Sequence, residues 1–166
     1  MQRKLFVVAV LLTAMAAPPA FAADGKHQED GKYLTKDDEP IYNVKKDGTV
    51  DWYTYSGFRR YHSECHVCHG PDGLGSSYAP ALVESMKTAS YADFILIVAA
   101  GRERVTASEV SKMPAFGENK NVTCFMDDIY VYLMARADGA IPRGRPRKRE
   151  VKPATAKAHE KECYEG

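Results

Sequence analysis

The sequence has no long hydrophobic run after residue 17, little net charge and few cysteines. Beyond that residue no stretch approaches the roughly 20 apolar residues that a membrane-spanning helix needs, which argues against an integral membrane protein. The formal net charge is only +1, so the chain as a whole is not a polycation or a polyanion. No internal repeat or low-complexity tract occurs, and the length fits a single domain.

Residues 1–22 have the features of a secretory signal peptide. Arg3 and Lys4 precede an apolar run over residues 5–17, and a small-x-small cleavage pattern ends at Ala22. The run is too short to span a bilayer comfortably, although an uncleaved anchor is the alternative. We expect cleavage after about Ala22, a periplasmic location and no stable membrane insertion of the mature chain.

Charge is distributed unevenly between the two ends of the chain. Residues 23–40 contain six acidic and three basic residues, whereas residues 143–161 contain eight basic and two acidic ones. An exported protein rarely meets nucleic acid, so we expect no nucleic-acid partner despite the basic segment. Two interpretations of that segment remain, a solvated arm and an electrostatic docking surface for an acidic partner.

The four cysteines include a closely spaced pair in the sequence CHVCH. Cys65 and Cys68 are one helical turn apart, and His69 follows directly, which is the C-x-x-C-H signal of c-type haem attachment. Two thiols at this spacing can form thioethers with the two vinyl groups of haem. The next residue, His69, can then supply an axial nitrogen to the iron.

Zinc sites and thiol–disulfide couples also use cysteines at this spacing. A zinc site needs a second pair of ligands, but Cys124 and Cys163 stand alone in the sequence. A thioredoxin-like couple needs a βαβ context, which is lacking, and has no use for His69. Behind a signal peptide and before the glycine-rich sequence GPDGLG, the motif predicts one covalently attached haem c.

Cys124 and Cys163 remain after the haem motif is assigned. In an oxidising compartment, and with no other partners, we expect them to form a disulfide. That bridge would tie the basic segment back to the start of a predicted helix.

The pattern of caps and stops predicts a small all-α domain. Asp51 can cap a helix over WYTYSGFRRYHSE, and Ser90 can cap one over YADFILIVAA that ends at Gly101. By periodicity alone the second segment could be a buried strand, but its cap and stop favour a helix. A third helix is predicted over CFMDDIYVYLMARAD, between Thr123 and Gly139.

This order of elements over residues 50–137 resembles a class I cytochrome c. A helix, the C-x-x-C-H motif, a proline-bearing loop, a second helix, a Met-Pro loop and an aromatic-rich helix follow one another. The resemblance implies that Gly57 and Tyr61 lie where the first helix crosses the last. It also implies that Met113, in SKMPAFGEN, is the second axial ligand of the iron opposite His69.

Two more residues receive roles from this resemblance. The carbonyl of Pro80 would accept a hydrogen bond from the second ring nitrogen of His69, and Leu82 would pack against the porphyrin. A thioether ligand stabilises reduced iron, so a His/Met pair suits electron transfer rather than catalysis. The methionines that compete with Met113 are Met86, Met126 and Met134.

A narrower resemblance rests on the sequence after the haem domain. The stretch YLMARADGAIPRGRP, the two additional cysteines and the long amino-terminal lead resemble the four-cysteine c-type cytochromes of methanol metabolism. Those proteins serve quinoprotein alcohol dehydrogenases, which contain pyrroloquinoline quinone (PQQ). The resemblance implies a one-electron carrier, not an enzyme, between such a dehydrogenase and a downstream cytochrome or terminal oxidase. The alternatives are a carrier for another dehydrogenase or reductase, a small haem peroxidase or sensor, and a structural zinc module.

The expected organisation therefore has four parts. A signal peptide (1–22) and an amino-terminal extension (23–49) precede the haem domain (50–137). A basic carboxy-terminal extension (138–166) follows, tied back by the disulfide. Both extensions are expected to be arms of the haem domain.

Overall fold

The computed structural model describes residues 26–105 and 110–165, so the predicted signal peptide lies outside the described residues. The described residues are mainly helical, in agreement with the predicted all-α class. The helices are α1 (Trp52–Glu64), α2 (His66–His69), α3 (Leu82–Ser85), α4 (Tyr91–Ala100), α5 (Lys120–Thr123), α6 (Met126–Ala137) and α7 (Ala154–Glu165). None of these helices is long and apolar enough to cross a membrane.

The ends of α1 and α4 lie where local sequence signals predict them. The Asp51 carboxylate accepts a hydrogen bond from the Thr54 backbone amide at 2.8 Å, which caps α1. Ser90 and Asp93 form a reciprocal capping box at the start of α4. Gly101 ends α4 with a φ of +76°, a conformation that favours glycine.

The start of the last predicted helix differs from the prediction. Helix α6 begins at Met126 rather than at Cys124. Cys124 and Phe125 form a turn after the short helix α5, which the Asn119 side chain caps by accepting from the Asn121 amide. The prediction missed this break because the apolar periodicity continues through both segments.

Helices α1 and α6 cross in direct contact and form the centre of the fold. A Cβ atom at Gly57 would overlap the backbone carbonyl of Asp128, so only glycine permits this approach. Tyr61 and Tyr132 are completely buried beside the crossing, with ring centroids 5.5 Å apart. Gly57 and Tyr61 thus lie at the crossing, as the family resemblance implies.

The Asp128 side chain is buried at this crossing, and burial raises the pKa of its carboxyl from 3.8 to about 7. Because the native pKa lies above the unfolded one, the wild type loses stability as pH rises between these two values. We expect Asp128→Asn to gain stability relative to wild type over this range, by at most about 1.4 kcal/mol per pH unit. Denaturant unfolding at several pH values measures this slope, and Asp37→Asn, the same change at an exposed carboxyl, is the control. A difference that is independent of pH would contradict the assignment.

Two small sheets were not predicted from the sequence. Strands β1 (His27–Glu29), β2 (Lys32–Leu34) and β3 (Pro40–Ile41) form an antiparallel sheet before the helical domain. Strands β4 (Arg102–Val105) and β5 (Val110–Met113) form an antiparallel pair after α4. Each strand has two to four residues, which is too short to show a clear alternation of apolar and polar side chains.

Both terminal extensions fold back onto the helical domain. In the amino-terminal sheet, Lys32 Nζ lies 2.8 Å from a carboxylate oxygen of Asp127 on α6. In the carboxy-terminal extension, the Lys148 carbonyl accepts a hydrogen bond from the Val50 amide, and the Glu150 amide donates one to the Val50 carbonyl. The sequence predicts arms because both extensions have a polar composition. Polar segments can also pack against a domain when some of their charged side chains form ion pairs or hydrogen bonds with it.

Candidate functional site

The two cysteines of the CHVCH motif lie at the junction of α1 and α2. The Cys65 amide donates to the Tyr61 carbonyl, and the amides of Cys68 and His69 both donate to the Cys65 carbonyl. This turn places the two thiols one helical turn apart, and both are free. Cys65 is partly buried and Cys68 is exposed.

The environment of these thiols disfavours the two alternative uses of the motif. Burial, with the charges of Glu64 and Cys68 adding to it, raises the pKa of the Cys65 thiol to about 12. The reactive thiol of a thiol–disulfide couple has a lowered pKa, whereas the pKa of Cys65 is raised. Within residues 26–105 and 110–165 no group of three or more His, Cys, Asp or Glu residues could hold a metal ion.

His69 is buried, and one of its ring nitrogens is already engaged. Its Nδ1 lies 3.0 Å from the Pro80 carbonyl oxygen. A carbonyl only accepts hydrogen bonds, so Nδ1 carries the proton and Nε2 keeps its lone pair for a metal. Leu82, at the start of α3, is partly buried against the hydrophobic core near this histidine's loop.

The loop after His69 is held by hydrogen bonds to its backbone carbonyls. The Gly75 amide donates to the His69 carbonyl at 2.7 Å, and the Tyr61 hydroxyl donates to the Gly70 carbonyl at 2.5 Å. Tyr61 therefore joins the buried helix crossing to the histidine loop, which limits how far that loop can move.

Met113 is the last residue of β5 and packs against the hydrophobic core with its side chain partly buried. The competing methionines have a different environment. Met86 and Met126 are 4% and 9% exposed in the core, and Met134 lies within α6 and packs against the same core. Of these four, only Met113 lies at the end of a strand, just before a loop. The family resemblance places the second iron ligand on such a loop, separate from the segment that carries His69.

The residues present fit a covalently bound haem. Two free thiols one turn apart can form the two thioethers, and a buried imidazole keeps one nitrogen available. Met113 offers a thioether on a different segment. These donors are of the kinds that a His/Met haem c site uses.

Asp72 is a residue of this site that the sequence analysis missed. Asp72 is 4% exposed, and its backbone has a φ of +61°, which is uncommon for a residue other than glycine. One carboxylate oxygen accepts from the Gly144 amide at 2.9 Å, and the other lies 3.4 Å from Arg143 Nε. Asp72 thus ties the histidine loop to the basic segment, and only its place in the GPDG turn could have indicated a special role.

A disulfide joins Cys124, just before α6, to Cys163 in the last turn of α7. The Cys124 carbonyl also lies 3.0 Å from His159 Nε2 on α7. These contacts fix α7, which was not predicted as a helix, against the start of α6.

No protein-family model matches the chain. Cytochrome c-553I from Paracoccus denitrificans is 50% identical over 161 residues, covering 90% of this chain and 71% of that protein. Cytochrome c-555 from Methylococcus capsulatus (strain ATCC 33009 / NCIMB 11132 / Bath) is 39% identical over 100 residues, covering 60% of this chain and 75% of that protein.

A solved structure shares both fold and sequence with this chain. The crystal structure of the c-type cytochrome XoxG from Methylobacterium extorquens AM1 superposes with a TM-score of 0.77 at 57% identity. The match covers 86% of this chain and 87% of that one.

Proposed function

This chain belongs to the class I c-type cytochromes and carries single electrons on one covalently attached haem, and we propose that its electron donor is a PQQ-containing alcohol dehydrogenase. It is an electron carrier and not an enzyme in its own right. The donor proposal is supported by one feature above all, the basic tail tied back by the Cys124–Cys163 disulfide, which resembles the four-cysteine cytochromes of methanol metabolism. We further propose that the carrier works in the periplasm and delivers electrons to a downstream cytochrome or terminal oxidase.

We propose that His69 and Met113 are the axial ligands, with Cys65 and Cys68 forming the thioethers. When bound, haem c supplies a one-electron couple at its iron. The Pro80 carbonyl fixes the orientation of the His69 ring and raises the basicity of its free nitrogen. Leu82, which is partly buried beside the core, would pack against the porphyrin.

The docking face for the donor is proposed to surround residues 65–73 and 111–116, where class I cytochromes expose the haem edge. Three large apolar side chains are exposed in or beside the first segment: Val67 (72% exposed), Leu74 (43%) and Tyr78 (79%). Exposed apolar side chains suit a short-lived complex because they gain contact area without fixing long charged side chains. Surrounding charges then steer the encounter more than they tighten binding.

The basic strap, residues 143–152, is the proposed steering element. Several of its cations contact the domain. Arg145 donates to the Tyr55 hydroxyl, and the Arg149 guanidinium lies 4.4 Å from the centroid of the same ring. Lys148 Nζ lies 3.3 Å from a carboxylate oxygen of Asp47. These contacts hold the positive charges at defined positions while leaving them exposed to solvent. Arg147 is exposed and makes no ion pair, hydrogen bond or ring contact with the described residues.

We expect Arg147→Gln/Lys148→Gln to lower the second-order rate of reduction by purified quinoprotein alcohol dehydrogenase severalfold at low salt. At high salt the rates of variant and wild type should converge, because exposed charges are screened over about 10 Å at 0.1 M. Stopped-flow reduction across a salt series, with the alcohol present, measures this. These two positions are chosen because replacing Arg145 or Arg149 would also remove packing on α1.

A matched control carries the same change in net charge elsewhere. Lys36 and Lys161 are highly exposed, and each has only a long ion pair, of 3.9 Å or 4.0 Å, with a neighbour in sequence. Lys36→Gln/Lys161→Gln should leave the rate near wild type, whereas an equal loss would indicate a net-charge effect rather than local steering. No reduction of the wild type by any such dehydrogenase would contradict the donor proposal and favour a general carrier for another dehydrogenase or reductase.

A further inference from the structure

The carboxyl end of α4 is in close contact with the segment that carries Met113. Gly101 ends α4 by donating its amide to the Ile97 carbonyl at 2.9 Å. A Cβ atom at Gly101 would lie 2.7 Å from the Met113 carbonyl oxygen, 2.8 Å from the Ala115 nitrogen and 2.9 Å from the Pro114 carbonyl carbon. Real Cβ atoms essentially never come so close to backbone atoms, so a side chain at this position requires the Met113 segment and the end of α4 to move apart.

The residues after Met113 are hydrogen-bonded to the same helix end. The Phe116 amide donates to the Val98 carbonyl, and the Gly117 amide donates to the Ala99 carbonyl, both at 3.0 Å. The last carbonyls of a helix have no partner within the helix, so they are free to accept from a passing segment. The loop thereby takes the place of a further helical turn.

The residues before Met113 are also held next to Gly101. Arg102 pairs with Met113 in the register of β4 and β5, so the chain on one side of Gly101 is hydrogen-bonded to the strand that ends at Met113. Met113 is thus fixed by strand pairing before it and by the α4 carbonyls after it, and Gly101 lies between these two attachments. From the sequence, Gly101 is predicted only to end a helix.

We propose that Gly101 is the positioning residue for Met113, because its missing side chain lets the end of α4 hold the methionine segment at the iron. This inference rests on the proposed role of Met113 as axial ligand. It extends that role by naming what keeps the thioether in place. The three atoms nearest to a Cβ built on Gly101 all belong to the backbone of the ligand segment.

The test compares alanine substitutions at two glycines that both have a positive φ but have different surroundings. Gly139, just after α6, has a φ of +68°, close to the +76° of Gly101, but a Cβ atom there would meet nothing within 4 Å. Gly139→Ala therefore places an alanine at a positive φ without the contact, and Gly117→Ala tests the contact at a position without a positive φ. Gly117→Ala is a milder change at the proposed contact, because its Cβ would lie 3.0 Å from the Ala99 carbonyl oxygen.

We expect the ferric Gly101→Ala holoprotein to lose most of the near-infrared band of methionine-ligated haem. Gly117→Ala should lose part of the band and Gly139→Ala none. Added imidazole should bind the iron of Gly101→Ala about tenfold more tightly than that of wild type, because an incoming ligand must first displace Met113. The unfolding midpoint, followed by far-ultraviolet circular dichroism, shows whether each variant is folded at the temperature of the titration.

The outcomes separate this inference from the assignment on which it rests. If wild type lacks the band, Met113 is not the ligand and the proposed site is wrong. If wild type has the band but Gly101→Ala and Gly139→Ala have equal band intensities and imidazole affinities, the positioning role is wrong. Should Gly101→Ala fail to fold, the comparison of Gly117→Ala with Gly139→Ala decides, and equal behaviour of these two overturns the proposal.

Discussion

A Met113→Leu holoprotein is expected to lack the near-infrared charge-transfer band when oxidised and to have a reduction potential lower by on the order of 0.1 V, since axial ligands shift haem potentials over about 0.8 V. The thioether is a soft ligand that stabilises reduced iron, so its loss favours the ferric state. Leucine conserves the volume of methionine, and the partly buried side chain of Met113 therefore leaves no large cavity. Near-infrared spectroscopy and a redox titration measure both effects.

Met86→Leu is the matched control for this prediction. It makes the same swap at a methionine that is 4% exposed in the core, so we expect a stability cost below about 1.5 kcal/mol and an unchanged band. A band that persists in Met113→Leu would show that another residue ligates the iron. A wild-type spectrum of high-spin iron with an open position would instead be that of a peroxidase or sensor, and it would contradict the carrier function.

Removal of the Cys124–Cys163 disulfide is expected to lower the free energy of unfolding by about 4 kcal/mol in the chain-entropy model. The bridge closes a loop between residues 39 apart in sequence, and its loss gives the unfolded chain more conformations. For a chain of this size the melting temperature should fall by on the order of 10 °C. Guanidinium unfolding of Cys124→Ala/Cys163→Ala, followed by far-ultraviolet circular dichroism, measures the change.

Reduction of the wild type provides the control because it breaks the bridge without altering any side chain in the core. Cys124 is 5% exposed, so the double variant also removes buried sulphur, and a larger loss in the variant than in the reduced wild type would measure that packing. Thiol titration of the denatured, unreduced holoprotein should find no free thiol. Finding two would mean that the bridge does not form in the protein.

The main helices could be predicted because their ends are encoded by neighbouring residues. Asp51 reaches Thr54 and Ser90 reaches Asp93, each within one helical turn, so the sequence shows both partners together. The haem motif was found for the same reason. Two thioethers and an axial histidine need only one turn of helix, and the thiols of Cys65 and Cys68 are one turn apart in the structure.

The packing of the terminal segments could not be predicted because the partners lie far apart in sequence. Asp72 and Gly144 are 72 residues apart, Tyr55 and Arg145 are 90, and Lys32 and Asp127 are 95. From composition these segments resemble solvated arms, since the sequence contains the charges but not their pairing. Only the folded chain shows that the basic strap lies on the aromatic face of α1.

The sequence alone therefore determined the cofactor, the attachment residues and the helical class, since each depends on residues within a turn or on the order of elements. The tertiary structure decided which backbone atoms hold Met113, how Asp72 joins the histidine loop to the strap, and where α7 packs. Gly101 illustrates the difference. Its role as the end of α4 follows from local backbone geometry, whereas its contact with the Met113 segment exists only once β4 and β5 pair and bring that segment back to the helix end.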